Sequence, residues 1–243
     1  MRRCISSLVL LCCILWGVHA HALVIGTGCT GSPCGNSHAL IIINAEPFVG
    51  GTFIDTSGYA RVVTNVGVTQ SAAQVWKGTQ SMEFNAGADN LSIPDDPVWT
   101  FPGDFTISVW VYVVAYPPAN FYIFSQEAGI AWRLYLGPTG STGWTIWNGG
   151  ATPFAVITGA GLFPTAAWAH VEVSRVGNTG RIWIDGINRA TDATAAGAAG
   201  DSAVDPSLGS GASPGVVGYY DAWTITSGGW PRSRNRSPPN RRW

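Results

Sequence analysis

Charge is scarce in this chain: Asp, Glu, Lys and Arg together make up 11% of its 243 residues, against roughly 25% in an average soluble protein. Cations are scarcer still. Between residues 23 and 230, fourteen acidic side chains face six basic ones, a net of −8, and five arginines then follow in the last thirteen residues. Phosphate recognition needs a basic groove or stripe on the folded surface, so an acidic body excludes nucleic acid as the partner. The terminal arginines read as a solvated, basic tail over 228–243, expected to be disordered.

Long hydrophobic runs are missing after the N-terminus. The run at 5–18 is shorter than the roughly 18–20 apolar residues that cross a bilayer, and no second one follows, so the chain is expected not to span a membrane. Preceded by Arg2 and Arg3 and closed by Ala20-His21-Ala22, it has the pattern of a secretory signal over 1–22. Cys12 and Cys13 follow Leu10-Leu11 and lack the small residues of a lipoprotein signal. Cleavage after Ala22 removes three of five cysteines. Cys29 and Cys34 remain, an even number in an exported chain, which suggests a disulfide. So short a loop contributes about 2 kcal/mol at most and staples the leader at 23–36, not the fold.

A helical period is also absent. Apolar residues supply 46% of the chain and Gly is abundant, in short β-branched and aromatic runs parted by Gly, Pro, Asn and Asp. Strands are expected at 38–44, 61–68, 81–84, 90–93, 105–113, 122–125, 132–136, 144–147, 155–158, 169–176, 180–185 and 218–226. The alternation is clearest at 105–113, where Phe105, Ile107, Val109, Val111 and Val113 should face a core. Gly-Asn-Thr-Gly at 177–180 reads as a hairpin turn, and the Ala/Gly stretch 191–200 as a loop. Turn signals at short, regular intervals give an all-β, antiparallel sandwich.

Enzyme motifs fail on context. GTGCTG at 26–31 has the dinucleotide spacing, yet Pro33 and Gly35 stand where a helix must begin. GASPG at 211–215 has the hydrolase-elbow spacing, but no histidine follows His170 to complete a triad. Glu46, Glu83, Glu127 and Glu172 are isolated, and Asp95-Asp96 would point apart on a strand, so the two close carboxylates of a retaining glycosidase are missing. The chain is expected not to be an enzyme.

Seven pieces in order carry a resemblance: TFIDTSG at 52–58; SMEFN at 81–85 with DNLSIP at 89–94; DFTISVWV at 104–111; IFSQ at 123–126; WAHVEVSR at 168–175; RIWIDG at 181–186; and GYYDAW at 218–223. Together they resemble the laminin-G-like, concanavalin A-like jelly roll of exported bacterial proteins and phage structural proteins, over about 37–227. The resemblance implies a two-sheet jelly-roll sandwich and a structural calcium ion, with Asp55 and Asp221 as carboxylate ligands. Calcium wants six to eight oxygens. Ala222 stands where the family usually has an acid, and the RSRNRSPPNRRW ending departs from the family's closing run, as a changed reading frame would make it.

The expected function is a secreted, extracellular binding module for a glycan or glycosylated surface. A structural or adhesive envelope or phage component acting through a protein partner is the alternative, and a glycoside hydrolase a third. Sugar binding needs aromatic faces with polar groups at the rim. Trp110 and Tyr112 lie on the non-core phase of 105–113, and Trp183 alternates with Ile182 and Ile184, so the three are expected on one sheet's outer face. Trp147 with Asn148 is expected at a turn as a rim contact. Most of the twelve tryptophans should fill the core, since aromatics carry large burial energies. His170 reads as a half-buried, hydrogen-bonded strand residue.

Overall fold

Branched and aromatic runs fold as strands throughout the residues that the computed structural model describes, 39–126, 131–148, 151–195, 197–209 and 218–228. The expected signal peptide, the leader with Cys29 and Cys34, and the tail past 228 lie outside the described residues. In chain order the strands are β1 (Ala39–Val49), β2 (Thr52–Asp55), β3 (Thr64–Val66), β4 (Thr69–Ser71), β5 (Ser81–Phe84), β6 (Asn90–Ser92), β7 (Phe105–Val113) and β8 (Phe121–Gln126). They continue as β9 (Trp132–Leu136), β10 (Thr142–Asn148), β11 (Ala151–Ile157), β12 (Ala167–Val176), β13 (Thr179–Ile184), β14 (Ile187–Asp192), β15 (Ser207–Leu208) and β16 (Gly218–Ser227). Among the described residues no helix is long and apolar enough to cross a membrane.

Among the described residues two antiparallel sheets form. One has nine strands: seven in the order β14-β13-β12-β7-β16-β1-β2, with β5 pairing the first residues of β16 and β4 pairing β5. The other has seven, β11-β10-β9-β8-β15-β6-β3. The jelly-roll sandwich implied by the sequence is therefore the fold.

Period-two alternation places one phase of each strand between the sheets. On β7 the predicted inward set, Phe105, Ile107, Val109, Val111 and Val113, is at most 1% exposed, and Ala169, Val171 and Val173 of β12 are fully buried beside it. From the other sheet come Trp132, Leu134, Trp144 and Ile146, also fully buried. Each such side chain contributes about 1.5–3 kcal/mol through removal from water. Trp132 and Trp144 stack at 5.4 Å between ring centroids, and the Trp132 indole N–H donates to the Trp99 carbonyl at 2.7 Å.

The β12–β13 hairpin turns where predicted: Val176 pairs with Thr179, and Gly177 takes the positive φ of 57° that the tight turn requires. Strand β16 carries a bulge. Asp221 pairs with Trp110 and Thr224 with Ser108, so Ala222 and Trp223 together oppose Val109 alone. The extra residue lets Asp221 face outward while Trp223 still points into the core, where it is fully buried. Ala222 occupies the bulge at φ 50°, a left-handed conformation in which its Cβ is strained.

Two expectations are corrected. Of the predicted strand 61–68 only β3 pairs, because Arg61 ends a turn: its N–H donates to Asp55 and its guanidinium pairs with Asp96 at 3.0 Å. Strand β14 was not foreseen, since INRATD has little apolar alternation. Thr191 and Asp192, assigned to the loop, belong to it. Arg175, at the end of the inward phase of β12, is 3% exposed and donates to the carbonyls of Phe101, Gly103 and Gly197 above the Phe105 ring. It closes one end of the sandwich, and burial lowers its pKa from the ordinary arginine value.

Candidate ligand-binding face

The two carboxylates expected to hold calcium are buried, each 3% exposed, and both reach β1, but at different residues. One oxygen of Asp55 accepts the N–H groups of Ile42 and Ser57, each at 2.9 Å. The other accepts the Ser57 hydroxyl at 2.8 Å and the Arg61 N–H at 2.9 Å. An ionised carboxylate offers about four lone-pair positions, and all those of Asp55 are taken by the chain's own donors. Asp221 accepts from Ala222 N–H at 2.8 Å, Ala45 N–H at 3.4 Å and Lys77 N–H at 3.2 Å. Among the described residues no group of three His, Cys, Asp or Glu side chains could hold a metal ion. The residues present do not fit a calcium ion shared by Asp55 and Asp221. Burial raises the pKa of Asp221 above the usual carboxylate value, although its three N–H partners and the Lys77 charge pull the other way.

The outward phase of the nine-stranded sheet is aromatic. Antiparallel pairing sets Glu83, Tyr219, Tyr112 and Trp168 side by side across β5, β16, β7 and β12. The next row holds Asp221, Trp110 and His170, and the one beyond it Ser108, Glu172 and Trp183. Ring contacts run along the first two rows: Tyr112 to Tyr219 at 5.8 Å and to Trp168 at 5.9 Å in the first, Trp110 to His170 at 4.9 Å in the second. Burial, then the hydrogen-bonded Glu83 carboxylate, raises the Tyr219 pKa above the ordinary phenol value. Trp110, Tyr112 and Trp183, predicted to share an outer face, share this one.

A segment of irregular backbone, residues 72–80, lies over that face as a strap. The Trp76 indole sits flat on Trp110, with centroids 3.5 Å apart and planes 17° from parallel, and reaches Trp168 at 6.4 Å. The strap is tied down at Lys77 by Asp221, and at Thr79 by Glu46, whose carboxylate accepts the Thr79 hydroxyl at 2.6 Å. Sequence reasoning missed Trp76, Trp168 and Tyr219. Trp168 could have been found by extending the non-core phase one residue back from 169–176, whereas the bulge in β16 puts Tyr219 on the same odd-numbered phase as the buried Trp223 and Ile225. Trp76 lies in no alternating run and gave no such signal.

Trp147 is elsewhere. It is on β10, on the outer side of the seven-stranded sheet, where the Arg133 guanidinium lies 4.5 Å from its ring and 5.2 Å from that of Tyr122. The structure therefore separates Trp147 from the three residues it was grouped with. Asn148 ends β10, its backbone paired with Ala151; its side chain lies outside the described residues.

Four of the carboxylates that could serve as catalytic acids have structural partners. Glu46 holds Thr79, Glu83 meets Tyr219, Asp95 accepts from Gln126 at 2.9 Å, and Asp96 pairs with Arg61. Glu127 lies outside the described residues.

A family model described as the concanavalin A-like lectin/glucanases superfamily matches residues 85–227. No curated protein matches the chain. Among solved structures, the binding domain of a paraclostridial mosquitocidal protein is similar with a TM-score of 0.67 at 12% identity, over 81% of this chain and 50% of that one. The receptor-binding domain of botulinum neurotoxin type G gives 0.61 at 14%, over 80% and 49%. Botulinum neurotoxin type C, which depends on interaction with two ganglioside molecules to get into cells, gives 0.61 at 13%, over 81% and 49%. The chain thus spans about half the length of each of these structures, and at such identities the likeness is one of fold.

Proposed function

The chain belongs to the concanavalin A-like lectin/glucanase superfamily, and from that premise we propose that it is an exported, non-catalytic binding module that recognises glycans through the outer face of its nine-stranded sheet. The observation that carries this reading is the contiguous aromatic surface of Trp76, Trp110, Tyr112, Trp168 and Tyr219, with Trp183 one row away. Flat rings present the apolar surface that sugar C–H groups stack on, and Glu83, Glu172 and His170 supply polar groups among them. Toxin binding domains of the same fold, one of them from a protein that uses gangliosides, support a binding role. The structural partners of Glu46, Glu83, Asp95 and Asp96 support a site without paired catalytic acids.

Binding on this reading needs no metal. The test is a glycan array probed with the full chain, with calcium and then with chelator. Specific signal of equal strength in both is expected, as is a melting temperature that calcium leaves in place, since a folded-state ligand would raise it. An array without signal would overturn the glycan reading and favour protein contacts; hydrolysis of the arrayed sugars would overturn the non-catalytic one.

A further inference from the structure

Trp110 stands in the middle of the aromatic face, yet its outward side is closed. Trp76 covers it in a parallel stack at 3.5 Å, and the His170 ring packs 4.9 Å from it. A sugar arriving from solvent therefore meets the strap before it meets the sheet. Trp76 is half-buried, with one face on Trp110.

The strap has a fixed seat. Lys77 N–H donates to the outward Asp221 carboxylate at 3.2 Å, and the Thr79 hydroxyl and N–H both donate to Glu46, at 2.6 and 3.4 Å. Between these two latches Gly78 has φ 76°, and a Cβ there would come within 2.4 Å of a Glu46 oxygen. The positive φ favours glycine here, and a side chain would also push the Glu46 carboxylate from its place under the strap. The bulge at Ala222 completes the seat, because it turns Asp221 outward toward Lys77.

Charge around the stack has one dominant sign. Glu83, Asp221 and Glu172 stand in the three rows, Asp185 accepts the His170 backbone N–H, and Glu46 holds the strap, against Lys77 on the strap itself and Arg181 in the row beyond Trp183. A carboxylate-bearing sugar would approach these groups against Coulomb repulsion.

Resting on the glycan reading of this face, we propose that Trp76 is the ring that stacks on the ligand, that Trp110 is its support, and that the ligand is an uncharged hexose unit and not a sialylated one. Asp221 and Glu46 are then positioning residues, which act by seating the strap.

The experiment uses the full chain and an array of uncharged β-galactosyl, β-glucosyl and α-mannosyl oligosaccharides beside their sialylated forms. The strongest uncharged binder then goes into calorimetry with Trp76→Ala, Trp76→Phe and Gly78→Val. Trp76→Ala and Gly78→Val are expected to weaken binding about tenfold or more, as the loss of one aromatic contact would, while Trp76→Phe keeps most of it. A purely structural role is separated by fluorine spectra of 5-fluorotryptophan protein, in which the Trp76 resonance, identified by its loss in Trp76→Phe, should shift on adding the sugar. Wild-type affinity in Trp76→Ala, or an unmoved Trp76 resonance, would overturn the strap assignment while leaving the face as the binding surface. A preference for sialylated forms would overturn the ligand class. Silence across the whole array would overturn both this inference and the glycan reading beneath it.

Discussion

Two sets of tryptophans sit on opposite sides of one structure. Trp99, Trp132, Trp144 and Trp223 lie inside, each fully buried, among Phe101, Phe105 and Phe124. Trp76, Trp110, Trp168 and Trp183 are half-buried, the last three on the outer face of the nine-stranded sheet and Trp76 on the strap above it. Trp99 lies in a short 3-10 helix and Trp76 on the strap; for the others, which stand on strands, the residue type is the same and the phase of the alternation differs. Phase decides whether an indole's burial energy goes into holding the sheets together or remains largely available for a ligand.

Substitution inside and outside should therefore separate stability from binding. The largest effect is expected from Trp132→Ala, which removes a ring stacked on Trp144 and the donor to the Trp99 carbonyl. Urea unfolding should show a loss of about 3–5 kcal/mol, the range for deleting a large buried aromatic. A loss below 1 kcal/mol would mean the two sets are not distinct.

Trp168→Ala tests the other side. Its stability change should be about 1 kcal/mol or less, because the ring is part-exposed and leaves no sealed cavity. Affinity for the array's best sugar should nonetheless fall severalfold. Equal damage to both properties would mean the outer rings are structural.

The alternation that defines these two sets was legible for β7, β12 and β13, whose inward phase is unbroken, whereas in β16 the bulge shifts it between Tyr220 and Trp223. It was not legible for β14 or for the short β4 and β15. In β14 Ile187 is half-exposed and few residues are apolar. That strand exists because β13 offers it a free edge, a tertiary cause. Trp147 shows another limit. Its outward phase could be read, but alternation does not say which of two sheets a strand joins.

A smaller effect should come from the bulge that separates Asp221 from Trp223. Ala222→Gly relieves a positive φ but widens the unfolded ensemble, so a net gain of about 0.5–1 kcal/mol is expected in chemical unfolding. A loss would show that the methyl group packs in the bulge.

The smallest effect is a pH dependence at Asp221. Its folded-state pKa is raised, chiefly by burial, so the folded protein takes up the proton before the unfolded chain does. Wild type should gain stability relative to Asp221→Asn as pH falls from neutrality through that raised value. Asp96, lowered chiefly by the Val98 N–H, works oppositely as its folded-state pKa is crossed. The comparison is therefore between wild type and variant across pH, by thermal unfolding. A difference that ran the other way would mean that Asp221 is held as a favourably paired anion.

By itself the sequence determined the two-layer architecture and which residues of the long strands point inward or outward, because period-two alternation is a local property of the chain. Tertiary structure alone decided that Trp76 would cover Trp110, that Trp183 would share the face of Trp110 and Tyr112, and that Trp147 would sit on the other sheet. Those outcomes depend on hydrogen bonds and ring contacts between residues far apart in sequence, such as Lys77 with Asp221, and no local pattern encodes which distant partner a side chain will meet.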